Sequence, residues 1–364
     1  MKIDQLTFTR YIAALSVVFF HYGASVFPAN LPLLNPVLTA GPIAVSYFYA
    51  LSGLIMAIAY YRPDSTRPFA SGRYWLARIA RIYPVYLLAL LLMMAAKLKG
   101  AGSDPTTVGL SLSMLQAWVP GYPLTLNAPG WSLSVEAFFY LTFPLLILAA
   151  KRHHLKQLAI ASGVLWGATQ ILHTILLNSA AYVPFSPLHD FIFYNPLMHL
   201  STFVTGFIAG AWLREGKLAM LATPAINSSG LFLTLGLIVL LLIIRQPLIA
   251  LSGVNIDYTN GLIAPLFLAF IVLLALNSGC ISTWLQHKWM ILLGEASFSL
   301  YILQKPLHGI YEKVAGHWIA EGSALYFYLF VAVLTGTAIL SFWLVETPLR
   351  RFINSRYQPA DKSG

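Results

Sequence analysis

The sequence predicts an all-α, polytopic membrane protein with about ten transmembrane helices and both termini in the cytoplasm. Three observations carry that expectation. Of the 364 residues, 58% are hydrophobic and only 9% are charged, against about 25% charged in a soluble domain. A chain this apolar needs the bilayer as its solvent. Its apolar residues also gather in segments near the length, about 20 residues, that a helix needs to cross the hydrocarbon. Ten such segments are residues 8–24, 41–61, 82–98, 132–150, 156–177, 195–213, 229–245, 260–277, 295–311 and 325–345. Finally, an N-terminus inside puts 17 of the 22 Lys and Arg residues in cytoplasmic segments and 4 outside, with Lys305 within a span. That bias sets orientation in the membrane.

Residues 1–352 read as one integral-membrane domain and 353–364 as a cytoplasmic tail. The net charge of +10 follows from the topogenic residues, so nucleic acid is not an expected partner. A single cysteine, Cys280, allows neither an internal disulfide nor a cysteine metal site. No His-Glu-x-x-His spacing occurs, so no metal is expected. Asp4 and Arg10 precede an apolar stretch containing His21, which reads as a retained span rather than a cleaved leader.

The first span carries Arg10 and His21. Eleven residues of helix rise about 16.5 Å and turn three times plus about 20°, so the two share a face near opposite ends. Plainer readings are a snorkelling arginine and an interfacial histidine. Before the third span stand Arg73, Arg78 and Arg81. Arg78 and Arg81, three residues apart, share a helix face. With Arg73 and Arg10 they form a candidate anion site, since arginine grips phosphate with paired hydrogen bonds. The alternative is anchoring at anionic lipid head groups. A long loop, 99–131, leads into Trp131, Ser132 and Glu136. Glu136 lies a little over one turn below the outer surface, the depth of His21, so a His–Glu pair suited to proton transfer is expected. A structural ion pair is the other reading. Ser132, four residues earlier, shares the Glu136 face. Gly206 and Gly210 give a small-xxx-small pattern for close helix packing. Lys305 lies about two-thirds of the way outward, to pair with Glu136, bind an anion or snorkel. Ionisable groups at such depths are functional candidates by default. His153 and His154 read as solvated loop residues; His173, His199 and His308 read as structural.

Together these residues resemble the membrane-bound acyltransferase-3 family, the integral-membrane O-acyltransferases of bacterial surface polysaccharides. The resemblance runs from Arg10 and His21, through Phe48-Tyr49-Ala50-Leu51-Ser52-Gly53, Arg78-Ile79-Ala80-Arg81 and Trp131-Ser132-Leu133-Ser134-Val135-Glu136. It continues in Phe203–Gly210, Ser297-Phe298-Ser299-Leu300-Tyr301 and Val345-Glu346-Thr347-Pro348. It spans residues 5–352 and marks a stand-alone version. One departure is Gln304-Lys305-Pro306, where many members have His at the position of Gln304.

The resemblance implies transfer of an acyl group, usually acetyl, from cytoplasmic acyl-CoA to a sugar hydroxyl at the outer face of the inner membrane. Acetyl-CoA would be a co-substrate, with no tightly bound cofactor. The acceptor would be a polysaccharide or lipid-linked oligosaccharide, with other polysaccharide-assembly proteins as partners. On this reading Arg10, Arg73, Arg78 and Arg81 hold the donor. His21 is the base or transient acyl carrier, and Glu136 orients it. Trp131, Ser132, Tyr301 and Lys305 contact the acceptor. The competing class is a multi-span transporter or a lipid or glycan flippase.

Overall fold

The computed structural model describes residues 3–63, 68–97, 104–152 and 155–356. Arg67, Lys99, His153, His154 and the tail beyond residue 356 lie outside the described residues. Among those described the chain is helical, with no strand.

Every expected span is met by a helix. They are α1 (Thr7–Val18), α2 (Gly41–Tyr60), α3 (Ser71–Lys97), α4 (Trp131–Arg152) and α5 (Leu155–Leu177). The series continues with α6 (Pro196–Arg214), α7 (Pro224–Ser252), α8 (Ala264–Leu276), α9 (Lys288–Ala315) and α10 (Ala324–Ser341). Among the described residues, seven helical segments are long and apolar enough to cross a membrane. The three that differ from expectation do so for separate reasons. α1 is only 12 residues long and continues as a π-turn, Phe19–Gly23. α8 has 13 residues. α9 has 28 residues but carries Lys288, Glu295, Lys305, Glu312 and Lys313.

Local chemistry sets the helix ends. Asn195 accepts from the Leu197 N–H with Pro196 at the first helical position of α6, and Ser323 accepts from the Tyr326 N–H to start α10. Such caps satisfy amides that the helix leaves unbonded. α7 runs past its expected end at residue 245 and stops at Gly253, whose φ of 68° suits glycine. Arg245 therefore lies on the helix, where it meets Asp257 at 2.7 Å.

α2 and α6 form the packed centre. A Cβ at Gly53 would overlap the Phe203 carbonyl, one at Gly206 the Ala50 carbonyl, and one at Gly210 the Leu54 carbonyl. The expected small-residue seam is thus present, with backbone against backbone. Stacked Phe139 and Phe203, 4.6 Å between ring centres, carry the packing on to α4. α1 packs against α9, and α9 against α10. This leaves the inner walls of α1, α2, α3, α4 and α9 around a cavity lined by both charged and apolar side chains.

Candidate active site

The cavity has a volume of about 100 Å³. Its α2 wall runs from Val45 to Met56, a rise of about 16 Å over eleven residues. Arg10 from α1, Arg78 and Arg81 from α3, and Ser132 and Glu136 from α4 all line it, as do Tyr140 and the α9 residue Tyr301. Three guanidinium groups and one carboxylate thus share an enclosed space among apolar helices. Burial of that charge is costly unless it is offset or used.

Arg78 is the most firmly held of the three. Its guanidinium lies 5.5 Å from the Tyr60 ring centre and 5.9 Å from that of Tyr140, and it donates to the Tyr60 hydroxyl at 3.1 Å. Its Nε is buried with no hydrogen-bond partner among the described residues, a spare donor beside the cavity. Arg10 and Arg81 lie in the field of Glu136, Glu295 and Glu346. Glu346 is 2% exposed and belongs to a second π-turn, Phe342–Glu346.

Glu136 accepts from the Tyr140 hydroxyl, one turn on along α4, and from Ser52 at 3.3 Å. It does not pair with His21, and this corrects the expected His–Glu couple. The His21 Nδ1 instead faces Gln304 Oε1 at 3.0 Å. Azimuth was not the guide that the regular helix count offered. His21 sits in the π-turn after Val18, where i→i+5 closure breaks the count of 100° per residue. His21 is exposed and does not line the cavity around Arg10. The cavity ends near it, however. Gly41 packs on Phe20, next to His21, and the α2 wall begins four residues later, about 6 Å away along the axis.

Ser132 does not reach Glu136 either. From the first turn of α4 its hydroxyl bonds back to the Pro129 carbonyl at 3.0 Å and to the Tyr301 hydroxyl at 2.8 Å. Ser132 and Tyr301 are therefore buried in the cavity wall. Arg73 is exposed and outside that wall. Five residues turn a helix by about 500°, which points Arg73 about 140° away from Arg78. Lys305, half-buried, lies close enough to act on the charge of His21. Trp131 faces a second cavity of about 420 Å³ with Phe20, Asn35, His189, Tyr194 and Gln246. Its ring meets those of Tyr194 and His199 at 5.0 and 5.5 Å.

Sequence reasoning missed Tyr60, Tyr140, Ser52 and Gln304 as parts of this arrangement. Tyr140 had a signal, since it lies four residues after Glu136. Ser52 stood within a quoted motif without a role. The Tyr60–Arg78 contact spans two helices, and no local spacing announces it. No group of three metal-ligating side chains occurs among the described residues.

A family model described as an acyltransferase domain matches residues 3–346. The chain is 27% identical to "Acyltransferase MdmB" of Streptomyces mycarofaciens, over 98% of this chain and 94% of that protein. It is 28% identical to "Exopolysaccharide production protein ExoZ" of Rhizobium meliloti, over 90% of this chain and 95% of that protein. No solved structure matches it. With a family model covering nearly its whole length, the chain belongs to the acyltransferase-3 family of membrane acyltransferases.

Proposed function

We propose that the protein transfers an acyl group, in the first place acetyl, from cytoplasmic acyl-CoA to a sugar hydroxyl of an exported polysaccharide, with an exopolysaccharide repeat unit as the leading acceptor. The observation that carries the reading is the convergence of Arg10, Arg78 and Arg81 on one cavity that ends about one helical turn from the level of His21. Coenzyme A brings several phosphates, and arginine forks bind phosphate well. Basic residues concentrate on the arginine end of the bundle, which favours its exposure to cytoplasm. The protein then lies in the inner membrane with His21 toward the outer side. The name of the ExoZ relative supports a glycan acceptor.

In this reading the donor phosphates rest on Arg78 and Arg81 with Arg10, and the acyl end extends along α2. Glu136 offsets the repulsion among the arginines when the cavity is empty and holds Tyr140 beside Arg78. The aromatic cavity around Trp131 receives the sugar. It shares Ala40, Ile43 and Leu242 with an apolar cleft of about 380 Å³, which suits the lipid anchor of a lipid-linked acceptor. His21 takes the proton of the attacking hydroxyl. The hydroxyl oxygen forms a bond to the thioester carbonyl carbon, the carbon–sulfur bond breaks, and the thiolate leaves with the proton from His21. General-base action of this kind contributes about 10²–10⁴-fold.

The test uses labelled acetyl-CoA and glycan acceptor with purified protein in detergent, where transport cannot mimic product formation. His21→Ala should abolish transfer at normal abundance. Full transfer by that variant removes His21 from the chemistry, and absence of CoA-dependent product from the wild type overturns the reading itself.

A further inference from the structure

We infer that Gln304 fixes the tautomer of His21, so that Nδ1 carries the ring proton and Nε2 is the bare nitrogen that receives the acceptor's proton. The inference rests on the acyltransferase reading for its consequence, but on geometry alone for the tautomer.

Gln304 is fully buried on α9, so both ends of its amide need partners. One end lies 2.7 Å from the carbonyl oxygen of Tyr301. A carbonyl can only accept, so that end is the NH₂ group, and this settles the orientation of the amide. Oε1 is then the atom 3.0 Å from His21 Nδ1. An amide oxygen also only accepts, so Nδ1 must donate. A neutral imidazole has one N–H, which leaves the lone pair on Nε2. Among the described residues Nε2 makes no hydrogen bond. The nitrogen that carries the lone pair is thus the one without a hydrogen-bond partner. Gln304 serves the charged state equally well, because an imidazolium keeps its Nδ1 proton.

Pro306 opens the backbone one residue away from the Tyr301 carbonyl. Proline has no N–H to return to the residue four positions earlier, and its ring loosens the turn before it. The Ile302 carbonyl, deprived of that partner, accepts instead from the buried Asn127 amide at 3.0 Å. The adjacent Tyr301 carbonyl accepts from Gln304. Tyr301 is fixed in turn through its hydroxyl, which meets Ser132 at 2.8 Å and donates to the Pro129 carbonyl at 3.2 Å. A chain of hydrogen bonds thus runs from the start of α4, through α9, to His21. Gln304 acts through His21 and touches no substrate, so it is a positioning residue.

Two measurements test this. Nitrogen-15 spectra of histidine-labelled protein in bilayers, with the His21 signals identified by their loss in His21→Gln, should show a protonated Nδ1 and a bare Nε2. In Gln304→Met the signals should report a mixture of tautomers. A wild-type ring protonated at Nε2 overturns the inference whatever the enzyme does. Kinetically, Gln304→Met at normal abundance and thermal midpoint should lower kcat at least tenfold and leave the KM for acetyl-CoA unchanged. Gln304→Glu keeps an acceptor opposite Nδ1 and should restore most of kcat. Its carboxylate should also move the acid limb of the pH–rate profile upward, by about one unit, through attraction for the imidazolium. The other titratable groups near the ring are Lys305 and Tyr22, with His308 stacked on Tyr22 at 4.1 Å, and all are common to both variants. Wild-type kcat in Gln304→Met refutes the positioning role and leaves the acyltransferase reading standing. A wild type without CoA-dependent transfer refutes that reading and leaves the tautomer to the spectra.

Discussion

Arg78→Ala is the most discriminating test of where the donor sits. Arg78 is already held by two aromatic rings and a hydrogen bond to Tyr60, so little ordering remains for a phosphate to impose. A hydrogen bond to a charged group contributes about 1.5–3 kcal/mol, which corresponds to about a 10- to 150-fold rise in the KM for acetyl-CoA. Arg78→Lys keeps the charge and loses the planar fork, and should fall between wild type and Ala. Tyr60→Phe removes the hydroxyl that accepts from the guanidinium but keeps the ring beside it, and should raise KM less than Arg78→Ala does. The assay is initial-rate transfer in detergent with acetyl-CoA and with its analogue lacking the 3′-phosphate. If Arg78 meets that phosphate, the analogue binds the wild type poorly and the variant almost as well as the full donor, a coupling seen only between interacting groups. If Arg78 meets the diphosphate, both donors weaken together. An unchanged KM for both donors in a folded Arg78→Ala protein would refute the placement.

Other consequences are equally open to measurement. Glu136→Gln removes a negative charge from beside Arg10 and Arg81, so donor KM should fall about two- to fivefold, opposite to the arginine variants; a raised KM would place Glu136 outside their field. Gly206→Ala forces a Cβ onto the Ala50 carbonyl and should cost about 1–3 kcal/mol, read as a lower thermal midpoint. Gly236→Ala, with open space around the new methyl, should not lower it. Outside the spans, burial pushes the Glu215 carboxyl up, but Lys217 and Tyr61 outweigh it and hold the group below its ordinary 4.5. A depressed carboxyl contributes stability above that ordinary value and loses it as pH falls through the lower folded value. Lys217→Ala should therefore reduce the loss of thermal midpoint on acidification below about pH 4.5, and an unchanged acid limb would show that the pair contributes nothing.

Much of this arrangement was legible because membranes make charge conspicuous. Arg10, Arg78, Arg81 and Glu136 stood out against apolar sequence, and they share one cavity. What failed were several readings that depended on azimuth, although Arg78 with Arg81 and Gly206 with Gly210 did keep one face each. One π-turn sufficed to take His21 out of the phase set by Arg10. A hydrogen bond back to Pro129 turned Ser132 away from Glu136. Arg73 looked like a fourth member of the arginine set, although five residues of helix carry it to another side. Gln304 was visible only as a departure from a family pattern. Its contact with His21 joins α9 to the π-turn, and no spacing within either segment announces it. The three spans that fell short of membrane length or hydropathy, α1, α8 and α9, are shortened, interrupted or charged, and two of them, α1 and α9, build the site.

The glycine seam between α2 and α6 has a mechanical corollary. Two backbones in direct contact have no side-chain layer through which to slide, so these helices must travel as a single block. If the donor is the bulky nucleotide thioester proposed above, the breathing that admits and releases it falls to the other walls of the cavity, α1, α3, α4 and α9. Spin labels on the seam should then hold a fixed separation through the whole catalytic cycle, while a pair on α3 and α9 should report the stroke.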